Sequence, residues 1–328
     1  MSVTYAQGFS AAGVDARISA SQKPDLAMVV NNGPLDAAAG VFTSNRFCAA
    51  PVQWTRAILN DGHASAVVLN SGGANACTGQ EGFEQSRITA MTAAQLLHKQ
   101  AEDIAICSTG LIGELLPLQH VIAGVSQAYE ELGDDENAGH NAAVAIMTTD
   151  TKAKTFTGQG EGYHLGGMVK GSGMIAPQLA TMLCVLTTDA VVGSGQLQAA
   201  LNIAVDTSFN RIDVDGCMST NDTVLLLASG ASGIEPDAEE FNDLVAQACA
   251  SLARQIIGDG EGSSHDVNIT VSGSRSEDEA LACARAIASS NLLKCAISGN
   301  DPNWGRVVSS LGTVPESVAA FDPNQVTV

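Results

Sequence analysis

Positive charge is scarce in this chain. Its 328 residues include 15 Lys and Arg against 35 Asp and Glu, a net charge of −20. Nucleic acid and anionic membrane both require a basic surface, so neither is expected as a partner. Aromatic residues are also few, at 4%, whereas hydrophobic residues make up 45% and glycine occupies 33 positions. That balance supports a sizeable core packed by close backbone approach, in one large domain or two lobes. No apolar run approaches membrane-spanning length, and the N-terminus lacks a basic segment followed by an apolar one. A soluble, cytoplasmic protein is the expectation.

Missing motifs narrow the chemistry further. The eight cysteines (Cys48, Cys77, Cys107, Cys184, Cys217, Cys249, Cys283 and Cys295) form no C-x-x-C pair and mostly lie in apolar runs. They read as free buried thiols in a reducing compartment, neither a disulfide framework nor a zinc site. The six histidines include no H-E-x-x-H and no i, i+4 pair, and Asp213, Asp215 and Asp222 lack the further ligands of a calcium loop. There is no P-loop sequence and no G-x-S-x-G nucleophile elbow. No metal site is expected, and the nucleotide reading is weak.

What the chain does contain is a run of short apolar strands alternating with helices and glycine-rich loops, with no internal repeat or obvious linker. Leu26–Val30 reads as a strand closed by Asn31-Asn32-Gly33-Pro34. A helix-like stretch surrounds Trp54–Leu59. The strand Ala66–Leu69 leads into Asn70–Gly79, whose backbone N–H groups could cradle an anion. A helix is predicted over about 84–100, with Ile88, Met91, Leu96 and Leu97 on its core side. Ile104–Ile106 is a strand delivering Ser108-Thr109-Gly110, where a hydroxyl and a glycine N–H could face one oxyanion or simply make a turn. A helix near 115–131 and the polar Met147–Thr151 follow. Further on come a helix at about 195–208, a buried strand at Val224–Leu227 and a helix over 238–257 capped by Gly258. After Glu261, set between glycines, a strand is predicted at Val267–Val271. A helix opened by the capping box Ser276–Glu279 follows, with Leu281, Ala284 and Ile287 inward.

The most unusual stretch is Lys170–Leu183. Gly171, Gly173 and Pro177 deny it regular structure, and Lys170 is the only formally charged side chain between Gly162 and Thr188. Such a lone cation meets a ligand or a carboxylate. From Thr181 the chain turns into the apolar run Met182–Leu186, a buried strand. Cleavage before Thr181 would give one residue both a hydroxyl nucleophile and an α-amine of ordinary pKa about 7.7–8.0 able to act as its base. On spacing alone, an ordinary strand threonine is the favoured reading of the position.

This stretch is similar to the cleavage-and-catalysis motif of the ornithine acetyltransferase / N-acetylglutamate synthase family of arginine biosynthesis, whose precursors cut themselves before the threonine of Ala-Thr-Met-Leu. The segments Leu69–Gly79, Cys107–Glu114, Met147–Thr151, Asp215–Ser232 and Asn291–Arg306 resemble further signatures of that family. The resemblance implies an α/β layered sandwich, two central sheets covered by helices, of the self-cleaving ornithine-acetyltransferase/aminopeptidase type. It implies cleavage between Ala180 and Thr181 into an α chain, 1–180, and a β chain, 181–328, which assemble and pair into a heterotetramer. Thr181 would be the nucleophile, Thr109 and Gly110 the oxyanion hole, and Thr148, Thr149, Lys170, Thr181 and Glu261 the substrate-binding residues. The implied reaction moves acetyl from N2-acetylornithine to glutamate through an acetyl-threonine. It needs no cofactor, although some members also take acetyl-CoA as a substrate. The family's sequences continue past Val328 and there supply an asparagine and a hydroxyl residue to the site, so this chain is expected to be a fragment or to lack them. Two other readings are a self-cleaving aminopeptidase-type hydrolase and an uncut, non-catalytic chain.

Overall fold

A computed structural model describes residues 2–176 and 182–328; the expected cleavage residues Ala180 and Thr181 lie outside these. The chain divides into two compact units, Met1–Glu261 and Gly262–Val328. In chain order the first unit holds β1 (Phe9–Val14), β2 (Leu26–Asn31), β3 (Ala37–Phe42), α1 (Ala50–Ile58), β4 (Ala66–Asn70), α2 (Gly79–Leu97) and β5 (Ile104–Ser108). It continues with α3 (Leu118–Glu130), α4 (Glu136–Ala145), β6 (Lys154–Gln159), β7 (His164–Lys170), β8 (Leu183–Thr188), α5 (Ser194–Thr207), β9 (Thr223–Ala228) and α6 (Ala238–Ile257). The second unit carries α7 (Glu277–Ala288), α8 (Asn291–Ser298) and α9 (Trp304–Leu311).

The strands form two sheets, one of four in the order β1-β2-β4-β5 and one of five in the order β3-β9-β8-β7-β6. In the five-stranded sheet β8 is central, antiparallel to β7 and parallel to β9. Every residue of β8 and β9 is buried, as continuous apolar runs covered on both faces should be. The two-residue period divides them cleanly. Leu183, Val185, Leu225 and Leu227 join the core built on the four-stranded sheet. Cys184, Leu186, Val224 and Leu226 join a second core with α5 and α6. In α6 the predicted stripe Phe241, Leu244, Val245, Ala248, Leu252 and Ile256 is buried throughout, and Asp237 caps the first turn.

The layered α/β architecture matches the expectation, but several local expectations do not survive. In α2 Leu96 and Leu97 pack partly buried against the core as expected, but the fully buried face is Gly82, Gln85, Ser86, Thr89, Ala90, Ala93 and Ala94, with Met91 turned to solvent. Small residues let this helix approach its neighbours closely, and Gln85 meets its burial cost by bonding both backbone groups of Leu116. Val267–Val271 forms no strand, and Val267 is 49% exposed. Residues Cys283 and Ile287 are the buried positions of α7. All eight cysteines are free, but Cys77, Cys217 and Cys295 are exposed, not buried.

Candidate active site

The register of the five-stranded sheet brings one row of residues to a single edge. Leu183, which opens β8, faces Lys170 at the end of β7 and Thr223 at the start of β9. Lys170, Met182 and Asp222 therefore gather where the chain enters β8. Parallel β4 and β5 end together at Asn70 and Ser108, and their loops leave side by side. The Thr109 N–H donates to the Asn70 carbonyl at 2.9 Å, and Asn70 Nδ2 donates to the Gly73 carbonyl at 2.9 Å. Asn221 ties these loops to the other sheet: its Nδ2 donates to Ala74 O at 2.6 Å and Ser108 O at 2.8 Å.

Gly110 has a φ of 134°, outside the range L side chains readily adopt, and a Cβ there would lie 2.7 Å from the Gly73 nitrogen. Both the backbone angle and the close approach demand glycine. Thr109 beside it is buried.

Lys170 is buried to 2% exposure, with its Nζ 3.9 Å from Asp150 Oδ2. The sequence therefore singled out a cation that already faces a carboxylate. At that separation the pair attracts without a hydrogen bond, leaving ammonium donors for another partner. Burial pulls the Lys170 ammonium below its ordinary pKa, against the opposing pull of Asp150, Asp222 and Glu261. Asp150 in turn accepts from Lys154 Nζ at 2.6 Å, from the Gly171 N–H at 2.7 Å and from the Thr148 N–H at 3.0 Å. Burial pushes the Asp150 carboxyl up, but the two ammoniums and these donors outweigh it and hold it below the usual carboxylate range.

Lys154, fully buried, also bonds Asp259 at 2.5 Å. Asp259 receives the Thr151 N–H and hydroxyl as well, and the same competition, burial against hydrogen bonds, leaves its carboxyl depressed. Two residues on, the Glu261 N–H donates to Ser172 O at 2.8 Å, and Glu261 Oε2 accepts from Thr149 Oγ1 at 3.2 Å. One buried ionic network thus fixes three loops, 148–151, 170–172 and 259–261. Sequence reading passed over its centre, because Thr151-Lys152-Ala153-Lys154 has the polarity of a solvent-facing stretch. Asn221 lay inside the Asp215–Ser232 signature without being singled out, and nothing local marked Asp259.

These loops enclose a cleft of about 860 Å³ lined by Thr109, Gly110, Thr148, Thr149, Lys170 and Glu261 among others, a volume suited to a small metabolite. All six lie on it; Thr181 falls outside the described residues, two positions before β8. A cation and a carboxylate on one cleft can read the two ends of a zwitterion, and a glycine N–H beside a threonine can meet an oxyanion.

Comparison with known proteins completes the picture. The ArgJ family profile matches residues 10–328. The arginine biosynthesis bifunctional protein ArgJ of Bifidobacterium longum is 72% identical over 330 residues, spanning 100% of this chain and 84% of that protein. The ArgJ of Streptomyces avermitilis is 55% identical over 328 residues, with the same coverage. Among solved structures, ornithine acetyltransferase from Mycobacterium tuberculosis, complexed with ornithine, is 44% identical over 56% of this chain and 96% of that chain, with a TM-score of 0.51. A β-aminopeptidase from Burkholderia aligns over 79% of this chain and 85% of its own with a TM-score of 0.51; at 11% identity it shares the fold alone.

Proposed function

The chain belongs to the ArgJ family, and from that premise we propose that it transfers the acetyl group of N2-acetyl-L-ornithine to L-glutamate in arginine biosynthesis. The observation that carries the reading is the convergence of Thr109, Gly110, Thr148, Thr149, Lys170 and Glu261 on one cleft at the sheet edge where β8 begins.

In this reading the precursor cuts itself between Ala180 and Thr181, giving chains 1–180 and 181–328. The Thr181 hydroxyl attacks the acetyl carbonyl while its own amine takes the proton. Thr109 and Gly110 receive the oxyanion, a contribution of about 2.7–4 kcal/mol per donor where such donors have been removed elsewhere. The tetrahedral adduct collapses, the C–N bond breaks, and ornithine departs with the proton. The neutral amine of glutamate then attacks the acetyl-threonine ester and leaves as N-acetylglutamate, restoring the hydroxyl. Lys170 holds the substrate carboxylate, and Glu261, steadied by Thr149, holds the ammonium that distinguishes ornithine. Thr148 and Thr149 line the same wall. The cycle closes without a cofactor; acetyl-CoA would enter as an alternative acetyl donor. The two chains stay assembled and pair as a heterotetramer in the cytoplasm.

The test combines intact-mass measurement with a transfer assay from N-acetylornithine to glutamate. Two chains beginning at Met1 and Thr181, and formation of N-acetylglutamate, are expected. A single uncut chain, or release of acetate in place of N-acetylglutamate, would overturn the assignment.

A further inference from the structure

Donor and acceptor bring opposite charges to one cleft. On the transfer reading above, both carry an α-nitrogen and an α-carboxylate, but the ornithine side chain ends in an ammonium and the glutamate side chain in a second carboxylate. Glu261 suits the first and repels the second, since like charges at close range destabilise each other. Lys170 is taken by the α-carboxylate that the two share. Glutamate therefore needs a further cation.

The charged residues lining the cleft, among those described, are Lys23, Glu114, Asp150, Lys170 and Glu261. Asp150 is committed to Lys154 and to the Gly171 and Thr148 N–H groups. Lys23 is exposed and forms no ion pair among the described residues, with Glu114 or with any other carboxylate. It is the uncommitted cation of this set.

The base of Lys23 is well anchored. It stands on the loop from β1 to β2, which folds around the buried Asp25. Asp25 Oδ1 accepts the Ala16 N–H at 2.9 Å, and Oδ2 accepts those of Ile18 and Ser19 at 2.7 Å. The Asp25 carbonyl accepts the Ser71 N–H at 2.9 Å. Gly72 packs so closely on this loop that a Cβ there would lie 2.4 Å from Ile18 Cγ2, and Gly73 bridges to Thr109. Lys23 thus belongs to the wall that carries the proposed oxyanion hole, built from loops of the four-stranded sheet. Glu261 belongs to the other wall, tied to Thr149 and to Ser172 just beyond β7.

Resting on the transfer reading, we infer that Lys23 is a specificity-determining residue for the acceptor: it receives the side-chain carboxylate of glutamate on one wall, while the ornithine ammonium turns to Glu261 on the other. A lysine fits this task, because a compact charge on a flexible stem needs no fixed fork geometry. One cleft can then serve two amino acids of unlike side-chain charge in turn.

In a ping-pong cycle, kcat/KM for the donor and kcat/KM for the acceptor report separate half-reactions. Lys23→Met should lower kcat/KM for glutamate about three- to fivefold, the range of a partly exposed ion pair, with kcat/KM for N-acetylornithine at the parent value. Glutamine, close to glutamate in shape but uncharged at its side chain, should compete with glutamate equally well in parent and variant. Lys23→Glu should lower kcat/KM for glutamate further, while exchange of labelled ornithine into N-acetylornithine holds or rises. An equal loss in both half-reactions, no loss for glutamate, or a parallel weakening of glutamine overturns the proposal. A parent protein that makes no N-acetylglutamate removes the transfer reading and this inference with it, before any variant is made.

Discussion

Single residues carry unequal weight at this cleft. Gly110 combines a φ of 134° with a Gly73 nitrogen 2.7 Å from where a Cβ would sit, so Gly110→Ala must shift two loops at once. A loss of about 1–3 kcal/mol in urea unfolding is expected, together with a lower kcat, since the displaced N–H belongs to the proposed oxyanion hole. Lys154 is the more consequential side chain. Lys154→Met leaves Asp150 and Asp259 buried without their shared cation, a change that typically costs about 3–5 kcal/mol. The sign of the pH dependence follows from both carboxyls being depressed in the folded chain. Their stabilisation is complete above the unfolded value of about 3.9 and is lost as the pH falls through the folded values. In the variant the carboxyls are raised instead, so its deficit against the parent should narrow on acidification from about pH 7 to about pH 5. A deficit constant across that range in parallel urea titrations would show that Lys154 contributes packing and not charge. Lys170 was legible because it stands alone in sequence. Lys154 was not, because only the fold reveals that β6 turns this lysine inward.

At the scale of elements, strands β8 and β9 and helix α6 could be read directly, since an apolar run buried on both faces and a long one-sided stripe leave few alternatives. The hairpin of β6 and β7 escaped notice for an identifiable reason. β7 contains Gly166 and Gly167, which weaken any strand pattern. Gly166 is required because the Ser2 carbonyl oxygen would lie 2.1 Å from a Cβ there. α2 misled in part: Leu96 and Leu97 pack against the core as expected, but its fully buried face is polar and small and Met91 is exposed. The junction between sheets at the cleft was also hidden, because a single buried asparagine, Asn221, bonds both loops there. Asn221→Ala leaves two buried carbonyls, of Ala74 and Ser108, without their donor. About 2–3 kcal/mol of destabilisation is expected, with a loss in kcat larger than any change in KM, because Thr109 and Gly110 hang from the same loops. A variant as stable as the parent would mean that the two sheets hold their edges together without Asn221.

For the whole molecule, the strongly acidic composition and the buried lysines belong to one design. With a net charge of −20, the protein attracts no anion by its overall field, and binding a carboxylate falls to cations at the cleft. Lys170 is such a cation, and Lys154 serves by neutralising the carboxylates that would otherwise consume it. The family and layered fold were legible from motifs spread along the chain, above all Lys170–Leu183. The convergence of loops from two sheets was not, since it depends on register and crossover. The central chemical claim is that a threonine exposed by cleavage carries the acetyl group between two amino acids. The most direct measurement incubates the cut protein with N-acetylornithine in the absence of glutamate, quenches in acid and weighs the 181–328 chain by mass spectrometry. A single added acetyl group, mapped to Thr181 and discharged when glutamate is supplied before the quench, is the expected result. An unmodified β chain under conditions where ornithine is released, or an acetyl group on any other residue, would contradict it.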